Sequence, residues 1–205
     1  MYARLDRYNG QPGHRVDGPD LADLSTSMAG QPGLLSCLTF RQLAGPAAAC
    51  LTLWDTEANA TGYPGPDTGL ASPAGEIYQV TATEKGLAAT QVPTHVRLVC
   101  FDGPRAPEQA AAEDLAGRQR IWPAIRGLSG LAGVYVLRGS DLSSVVVTLA
   151  TSVETLDAAQ RTVMATELTP GEDLALLPGP DRVEIYRVTG HHLHAARPAA
   201  STRGH

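Results

Sequence analysis

Short apolar runs recur along the whole chain, separated by segments rich in Gly, Pro and charged residues. The runs contain many β-branched and aromatic residues, which is typical of strands, while other segments have helical spacing or helix-capping residues. The strands are predicted over 2–9, 33–41, 47–54, 76–83, 95–101, 130–138, 144–151 and 182–189, and helices over 19–29, briefly from Thr56, over 106–126 and over 153–166.

Helix breakers and capping residues refine this pattern. Ser152 and Glu154 stand at the start of the last predicted helix, where a hydroxyl caps free amides and an acid favours the positive end of the dipole. Pro123 predicts a kink or an early end in the long helix over 106–126. Residues 60–74 contain so much Gly and Pro that a loop is predicted where a second helix would otherwise follow Thr56.

Two pairs of segments repeat in the same order. EIYQVT at 76–81 matches EIYRVT at 184–189, and RLDRYNG at 4–10 matches RLVCFDG at 97–103. Two further pairs lie between them: Gly33-Leu34 with Gly130-Leu131, and Leu51-Thr52-Leu53 with Val147-Thr148-Leu149. Four collinear matches favour a tandem duplication over coincidence.

Each copy then has the order βαββαβ, which is the ferredoxin-like split βαβ unit of an antiparallel sheet with helices on one face. The strand over 47–54 is apolar at both odd and even positions, so neither sheet face is expected to meet solvent. The fold class is therefore predicted as α+β, with tandem ferredoxin-like repeats whose sheets cover each other in an intrachain, pseudo-dimeric α+β barrel. The expected domains are 1–89 and 94–190, followed by a flexible tail at 191–205.

Composition narrows the classes of function. The formal net charge of −5 lacks the basic character that non-specific nucleic-acid binding requires. No apolar run reaches the roughly 18 residues of a membrane span, and the first residues do not resemble a signal peptide, so a cytoplasmic protein without membrane partners is expected. The three separated cysteines, Cys37, Cys50 and Cys100, are expected to be reduced thiols.

Several segments resemble the antibiotic biosynthesis monooxygenase-like family of dimeric α+β barrel proteins, here in a two-copy form. QPGLLSCLTF and CLTLWDTEANA are similar to the strand entry and the Trp-bearing strand of that family, with Trp54 at the Trp position. WPAIRGLSGLAGVYVLRG is similar to its Pro-bearing helix end and following strand. The resemblance covers residues 1 to about 190.

The resemblance implies a substrate between the sheet and the helices of one copy. Trp54 would then wall the cavity, with Thr52 and Cys50 on the same strand face. The cofactor-independent oxygenases of the family carry an Asn at the place of Cys50, and the departure leaves the catalytic base unidentified. Haem-degrading members use a His and an Asn that this chain lacks at the matching places, so haem degradation is the less favoured activity.

Each aromatic candidate also has a structural interpretation. Trp54 could be a core residue only, and Tyr78 matches Tyr186 in the repeat, which favours a shared structural reason over substrate binding. Tyr63 stands in the Gly/Pro loop, where it could close a substrate pocket or lie on the surface. Arg4 and its match Arg97 are expected to pair with acids at the barrel seam.

The resemblance and the Trp54 strand together predict a monooxygenase that oxidises a phenolic, polycyclic, polyketide-type metabolite with dioxygen and without metal or flavin. The predicted substrate-binding residues are Trp54, Thr52, Cys50, Tyr63 and Tyr78. The alternative is a non-catalytic accessory protein or a cyclase-like member of the same fold. The histidines at 191, 192 and 194 form only a weak metal motif, so no metal site is assigned. A monomer, or a peripheral homodimer, is expected because one chain holds both sheets.

Overall fold

A computed structural model describes residues 1–8, 28, 30–65 and 75–193. The first part contains β1 (Tyr2–Tyr8), β2 (Leu34–Gln42), β3 (Ala48–Trp54), α1 (Glu57–Gly62) and β4 (Glu76–Lys85). The second contains β5 (His95–Phe101), α2 (Pro107–Ala116), a π-helical turn (Gly117–Ile121), α3 (Trp122–Ile125), β6 (Leu131–Arg138), β7 (Ser144–Ala150), α4 (Val153–Met164), a 3-10 turn (Leu174–Leu176) and β8 (Arg182–Leu193). The helix predicted over 19–29 lies outside the described residues except for Met28.

The strands close into one antiparallel barrel in the order β1-β3-β2-β8-β5-β7-β6-β4. The first half (β1 to β4) has the order β4-β1-β3-β2, and the second half (β5 to β8) has the corresponding order β8-β5-β7-β6. The halves join through β2 with β8 and through β4 with β6. The prediction of an α+β fold with a barrel closed within one chain is confirmed, and none of the eight described strands has a free edge.

The barrel interior is filled by apolar side chains from all eight strands, among them Leu5, Phe40, Leu51, Leu98 and Val147. Two further apolar clusters lie on the outer surface of the barrel: one on the first half, against α1, and one on the second half, against its helices. Each half of the barrel therefore has buried residues on both faces. This explains why the strands are apolar at odd and even positions alike.

Two elements differ from their predictions by more than a shift of one or two residues at an end. The helix expected over 106–126 is broken by the π-helical turn Gly117–Ile121, directly before Pro123. Proline has no amide hydrogen to continue the helical pattern, and the wider turn absorbs the loss. The last strand continues to Leu193 rather than ending at 189, because His191 and His192 still pair with β2. Among the described residues, no helix has the length and apolar character needed to cross a membrane.

The turn that enters β2 has a counterpart before β6. Gly33 has a φ of 77° and Gly130 a φ of 84°, in the left-handed region that favours glycine. A Cβ would lie 2.1 Å from the amide nitrogen of the Asn59 side chain at Gly33 and 2.5 Å from the Thr155 hydroxyl at Gly130. Both glycines therefore allow the following helix to approach the turn.

Candidate functional site on the first half

The candidate site lies on the outer face of the first half, where β1 and β3 run side by side under α1. Residues directly opposite each other on this face are Tyr2 with Trp54, Arg4 with Thr52, and Asp6 with Cys50. Cys50, Thr52 and Trp54 share one strand face, as their spacing predicts. These three side chains are buried on the outer face, whereas Ala49, Leu51 and Leu53 point into the barrel.

Trp54 is held in one orientation by a chain of hydrogen bonds. Its indole Nε1 donates to Thr52 Oγ1 at 2.8 Å, and that hydroxyl donates to the Arg4 carbonyl at 3.4 Å. Trp54 is only 2% exposed and Thr52 is fully buried. Because the indole N–H is satisfied within the sheet, the ring face is free of polar constraints and can pack against another flat ring.

That ring in the described structure is Tyr63, directly after α1. Thr56 caps α1 by accepting a hydrogen bond from the Asn59 amide, and the helix ends at Gly62. The Tyr63 ring centroid lies 5.3 Å from that of Trp54, with 39° between the planes. Tyr63 is half-buried, its ring covers Trp54, and the burial raises the pKa of its phenol.

A buried ion pair lies beside the two rings. The Arg4 Nε and Nη2 atoms each donate to a different oxygen of Asp6 at 3.0 Å, and Asp6 has no exposed surface. Arg4 also donates to the Tyr63 carbonyl, and its guanidinium carbon lies 5.6 Å from the Tyr63 ring centroid. The bidentate bonds fix the guanidinium next to the aromatic surface, with its charge balanced by Asp6.

Sequence reasoning did not assign Arg4 and Asp6 to the site and expected Arg4 at the barrel seam. The pair instead faces outward under α1. One sequence signal could have found it: Asp6 has Val99 at the matching place of the second repeat, so the acid is specific to the first half. A Cβ at Gly75 would lie 2.3 Å from Asp6, which shows how closely the backbone approaches the pair.

Three sulfur atoms lie in the same apolar cluster as Trp54. Cys37 Sγ is 3.8 Å from Cys50 Sγ and 3.6 Å from Met28 Sδ. The cysteines are free and fully buried, and Met28 is 2% exposed. The hydrogen bond with Cys37, together with burial, raises the pKa of the Cys50 thiol well above its usual range.

The second half has the same arginine-to-helix hydrogen bond as the first half but lacks its aromatic and acidic side chains. Arg97 Nη1 donates to the Leu156 carbonyl at 3.1 Å, just as Arg4 Nη1 reaches the Ala60 carbonyl at 3.5 Å. However, Arg97 bonds to the Gln160 side chain at 2.9 Å rather than to the acid expected for it. Ala150 occupies the place of Trp54. The aromatic and acidic groups therefore occur together in the first half.

Tyr78 does not belong to this group of residues. It lies in the barrel interior, on the opposite face of the sheet from Trp54, and its hydroxyl donates to Glu76 at 3.0 Å. Tyr186 makes the equivalent hydrogen bond to Glu184 at 3.0 Å. The matched geometry supports the structural interpretation of both tyrosines.

Other parts of the described chain offer less chemistry. A surface cleft with a volume of about 350 Å³ is lined by residues 92–94 and 187–191. His191 and His192 lie in β8, whereas residue 194 and the tail lie outside the described residues. Within the described ranges, no three His, Cys, Asp or Glu side chains come together in a way that could hold a metal ion.

The arrangement brings together an aromatic face on Trp54, the phenol of Tyr63 and the guanidinium of Arg4, which is paired with Asp6. Stacking on flat rings and hydrogen bonding are the chemistry that such a group of side chains offers. Cys50 borders the site from β3.

The sequence matches no family model and no curated protein. The fold is similar to solved structures, including an anthrone oxidase-like protein with a TM-score of 0.62, 13% identity and 96% of each chain covered. A ferredoxin-fold protein from Listeria monocytogenes, described as related to antibiotic biosynthesis monooxygenases, has a TM-score of 0.51, 11% identity and coverage of 90% of this chain and 93% of its own. A major regulator of staphylococcal pathogenesis has a TM-score of 0.57, 12% identity, and coverage of 91% and 98%.

These comparisons confirm the resemblance at the level of the fold. The similarity extends over nearly the full length of this chain and of each compared chain. Identities this low do not transfer the roles of individual side chains to this chain. The compared proteins with this fold also include both an oxidase-like protein and a regulator.

Proposed function

We propose that the protein is a cofactor-independent, monooxygenase-like enzyme that oxidises a phenolic polycyclic aromatic metabolite of the polyketide type with dioxygen. The observation that supports this most directly is the Trp54–Tyr63 ring pair beside the buried Arg4–Asp6 ion pair. The fold similarity to an anthrone oxidase-like protein is consistent with it. The protein would act in the cytoplasm, in a pathway such as antibiotic biosynthesis.

In the proposed reaction the substrate ring takes the place of Tyr63 against Trp54. The ring methylene of an anthrone-type substrate loses one proton, and the resulting enolate gives an electron to dioxygen. The two radicals then combine and take up that proton, which gives a hydroperoxide at the same carbon. One oxygen atom becomes the new carbonyl, and the other leaves as water with the two hydrogens of the oxidised methylene carbon. Arg4 would stabilise the substrate anion, and the displaced Tyr63 hydroxyl would supply a hydrogen bond. Thr52, whose hydroxyl is bonded to Trp54 and to the Arg4 carbonyl, would hold the Trp54 ring in place. Trp54 and the helix would exclude water from the intermediate.

We also propose that the chain is a tandem of two copies, 1–89 and 94–190, with the ligand site in the first. The matching strand orders and the matched Arg4 and Arg97 hydrogen bonds support this interpretation. In the second copy the places of Trp54, Cys50 and Asp6 are taken by aliphatic residues, which would make that copy a structural partner. The assembly would be monomeric, because one chain supplies both sheets.

Oxygen uptake with anthrone, naphthol and hydroquinone substrates tests the activity. The sharpest variant is Arg4→Gln with Asp6→Asn, which removes both charges but keeps the size and the hydrogen-bonding groups. Loss of a fixed charge-stabilising group should lower kcat by about 100-fold. Arg97→Gln, the matching change in the second half, is the control and should leave kcat unchanged. Equal losses in both variants, or no uptake by the wild type with any such substrate, would contradict the proposal.

Two observations support a second function, ligand binding without oxidation: the site is buried, and Cys50 stands where family oxygenases carry an Asn. Trp54 is 2% exposed, so substrate must displace Tyr63, and the Asn that family oxygenases carry is missing. A binding or accessory protein, or a cyclase-like enzyme, would hold the same ring without consuming oxygen. Quenching of Trp54 fluorescence by an aromatic ligand, without oxygen uptake and with Trp122→Phe as the control for the other tryptophan, would favour this function.

A further inference from the structure

The sulfur atoms of Met28, Cys37 and Cys50 form a compact group in the core of the first half. Cys37 Sγ lies 3.6 Å from Met28 Sδ and 3.8 Å from Cys50 Sγ. All three residues belong to one buried apolar cluster, and neither thiol has exposed surface. The group is therefore held inside the protein and shielded from bulk solvent.

These separations suit a single metal ion. A metal–sulfur bond of about 2.3 Å places two sulfurs on one tetrahedral or trigonal ion about 3.8 to 4.0 Å apart. The two observed sulfur–sulfur distances, 3.6 and 3.8 Å, equal or fall slightly below this range. Small outward shifts of the sulfur atoms would therefore admit an ion. A disulfide fits less well. Cys37 pairs with Thr52 and Thr39 with Cys50, which makes the two cysteines diagonal neighbours, with Cα atoms about 7 to 8 Å apart, beyond the usual disulfide range of about 4.4 to 6.8 Å.

The second half shows what these positions contain when only packing is required. Ile125 begins the same turn as Met28: the Leu128 amide donates to the Ile125 carbonyl as the Gln31 amide donates to the Met28 carbonyl. Val134 and Val146 occupy the places of Cys37 and Cys50, and both contribute to the corresponding apolar cluster. Three aliphatic residues fill this space in one half and three sulfur residues fill it in the other.

The ligand types select the metal. Two thiolates and a thioether are soft donors, which favour Cu(I) over hard cations. A structural zinc site needs four ligands, whereas Asp6, the acid opposite Cys50, is already bound to Arg4 by two hydrogen bonds. We propose that Met28, Cys37 and Cys50 form a buried three-coordinate site for one Cu(I) ion.

Binding requires loss of both thiol protons to solvent, so that two thiols and Cu(I) give a bis-thiolate complex with one net negative charge. The neighbouring Arg4–Asp6 ion pair is neutral overall, so the complex keeps its negative charge in the core. Because binding releases protons, affinity should rise with pH. The oxidation state of the metal does not change on binding.

The test is anaerobic titration of the reduced full chain with Cu(I), in competition with a chromophoric Cu(I) chelator. One equivalent should be withdrawn from the chelator. X-ray absorption should show three sulfurs at about 2.3 Å from the metal, without nitrogen. A shell containing nitrogen would assign the copper to the histidines near the end of the chain and would overturn the proposal.

The second half supplies replacements that this frame tolerates. Cys37→Val and Cys50→Val should each weaken Cu(I) binding by more than about 100-fold, and Met28→Ile by about 10-fold. Cys100→Ser is the matched control, because Cys100 is buried in the barrel interior, away from the sulfur group, and its Cu(I) affinity should equal that of the wild type. Circular dichroism and thermal unfolding would show that each variant is folded.

Unchanged binding in a folded Cys37→Val, Cys50→Val double variant would refute the site, as would loss of binding in Cys100→Ser. Tighter binding of Zn(II) than of Cu(I) in parallel titrations would refute the choice of metal. None of these measurements uses an aromatic substrate or oxygen uptake. The result is therefore independent of the proposed oxygenase activity.

Discussion

The Arg7 guanidinium lies 3.4 Å from the Cys100 thiol inside the barrel, although β1 and β5 lie on opposite sides of it. The two residues match each other in the repeat, so the contact joins equivalent points of the two halves. Arg7 also pairs with Glu76 and, at 3.9 Å, with Glu184, the two acids that hold Tyr78 and Tyr186. One arginine therefore serves both halves at this end of the barrel.

Arg7→Leu should destabilise the fold, because Glu76 would lose its cation and Glu184 would keep only Arg182. Breaking a buried pair costs about 3 to 5 kcal/mol. The Glu76 side chain is 52% exposed, so solvent screens part of the effect and we expect a loss of about 2 kcal/mol. Urea unfolding measures it. Arg126→Leu, at an exposed site, should change the free energy of unfolding little, and an equal loss there would contradict the role of Arg7.

Thr52→Val should leave the indole N–H of Trp54 buried without an acceptor. An unsatisfied buried donor costs about 1 to 3 kcal/mol, so the free energy of unfolding should fall by that amount. Thr148→Val is the matched control, since Ala150 in the place of Trp54 has no side-chain donor. Thermal unfolding would distinguish them. Equal destabilisation by both changes would show that the Trp54 hydrogen bond contributes nothing specific.

Tyr63 should ionise at a higher pH than an exposed tyrosine, because burial raises its pKa and the negative charges of nearby groups add to the effect. Its contribution to stability is complete below pH about 10, the unfolded pKa, and is lost as the pH rises toward the higher folded pKa. Ultraviolet titration should show one late tyrosine fewer in Tyr63→Phe than in the wild type. Loss of a tyrosine that ionises near pH 10 would be the opposite result.

A fragment of residues 1–89 should not exist as a stable monomer. In the full chain its edge strands β2 and β4 pair with β8 and β6, and its inner sheet face packs in the barrel. Without the second half, an apolar face and two edges would be exposed. Sedimentation should show a dimer or aggregate, whereas the full chain should remain monomeric on dilution. A soluble, folded, monomeric fragment would contradict the proposed tandem arrangement.

The sequence determined the elements and the faces of the sheets. From Ala49 to Trp54, the odd-numbered and the even-numbered positions are both largely apolar. Such a strand is stable only in a sheet that is covered on both faces. The same alternation placed Cys50, Thr52 and Trp54 together, because the two-residue period of a strand is a local property. Pro123 similarly predicted the break in the long helix from its missing amide hydrogen.

Only the tertiary structure decided which distant groups meet. Asp6 is joined to Arg4 under α1, and Tyr78 faces the barrel rather than Trp54, since each depends on strand register and on which face a neighbouring strand presents. The turn before β2 brings Met28 close to Cys37, and the register of β2 with β3 brings Cys37 close to Cys50. No single residue in the sequence predicts either contact. Local periodicity fixes the face on which a side chain lies, whereas the partner on that face is set by long-range pairing.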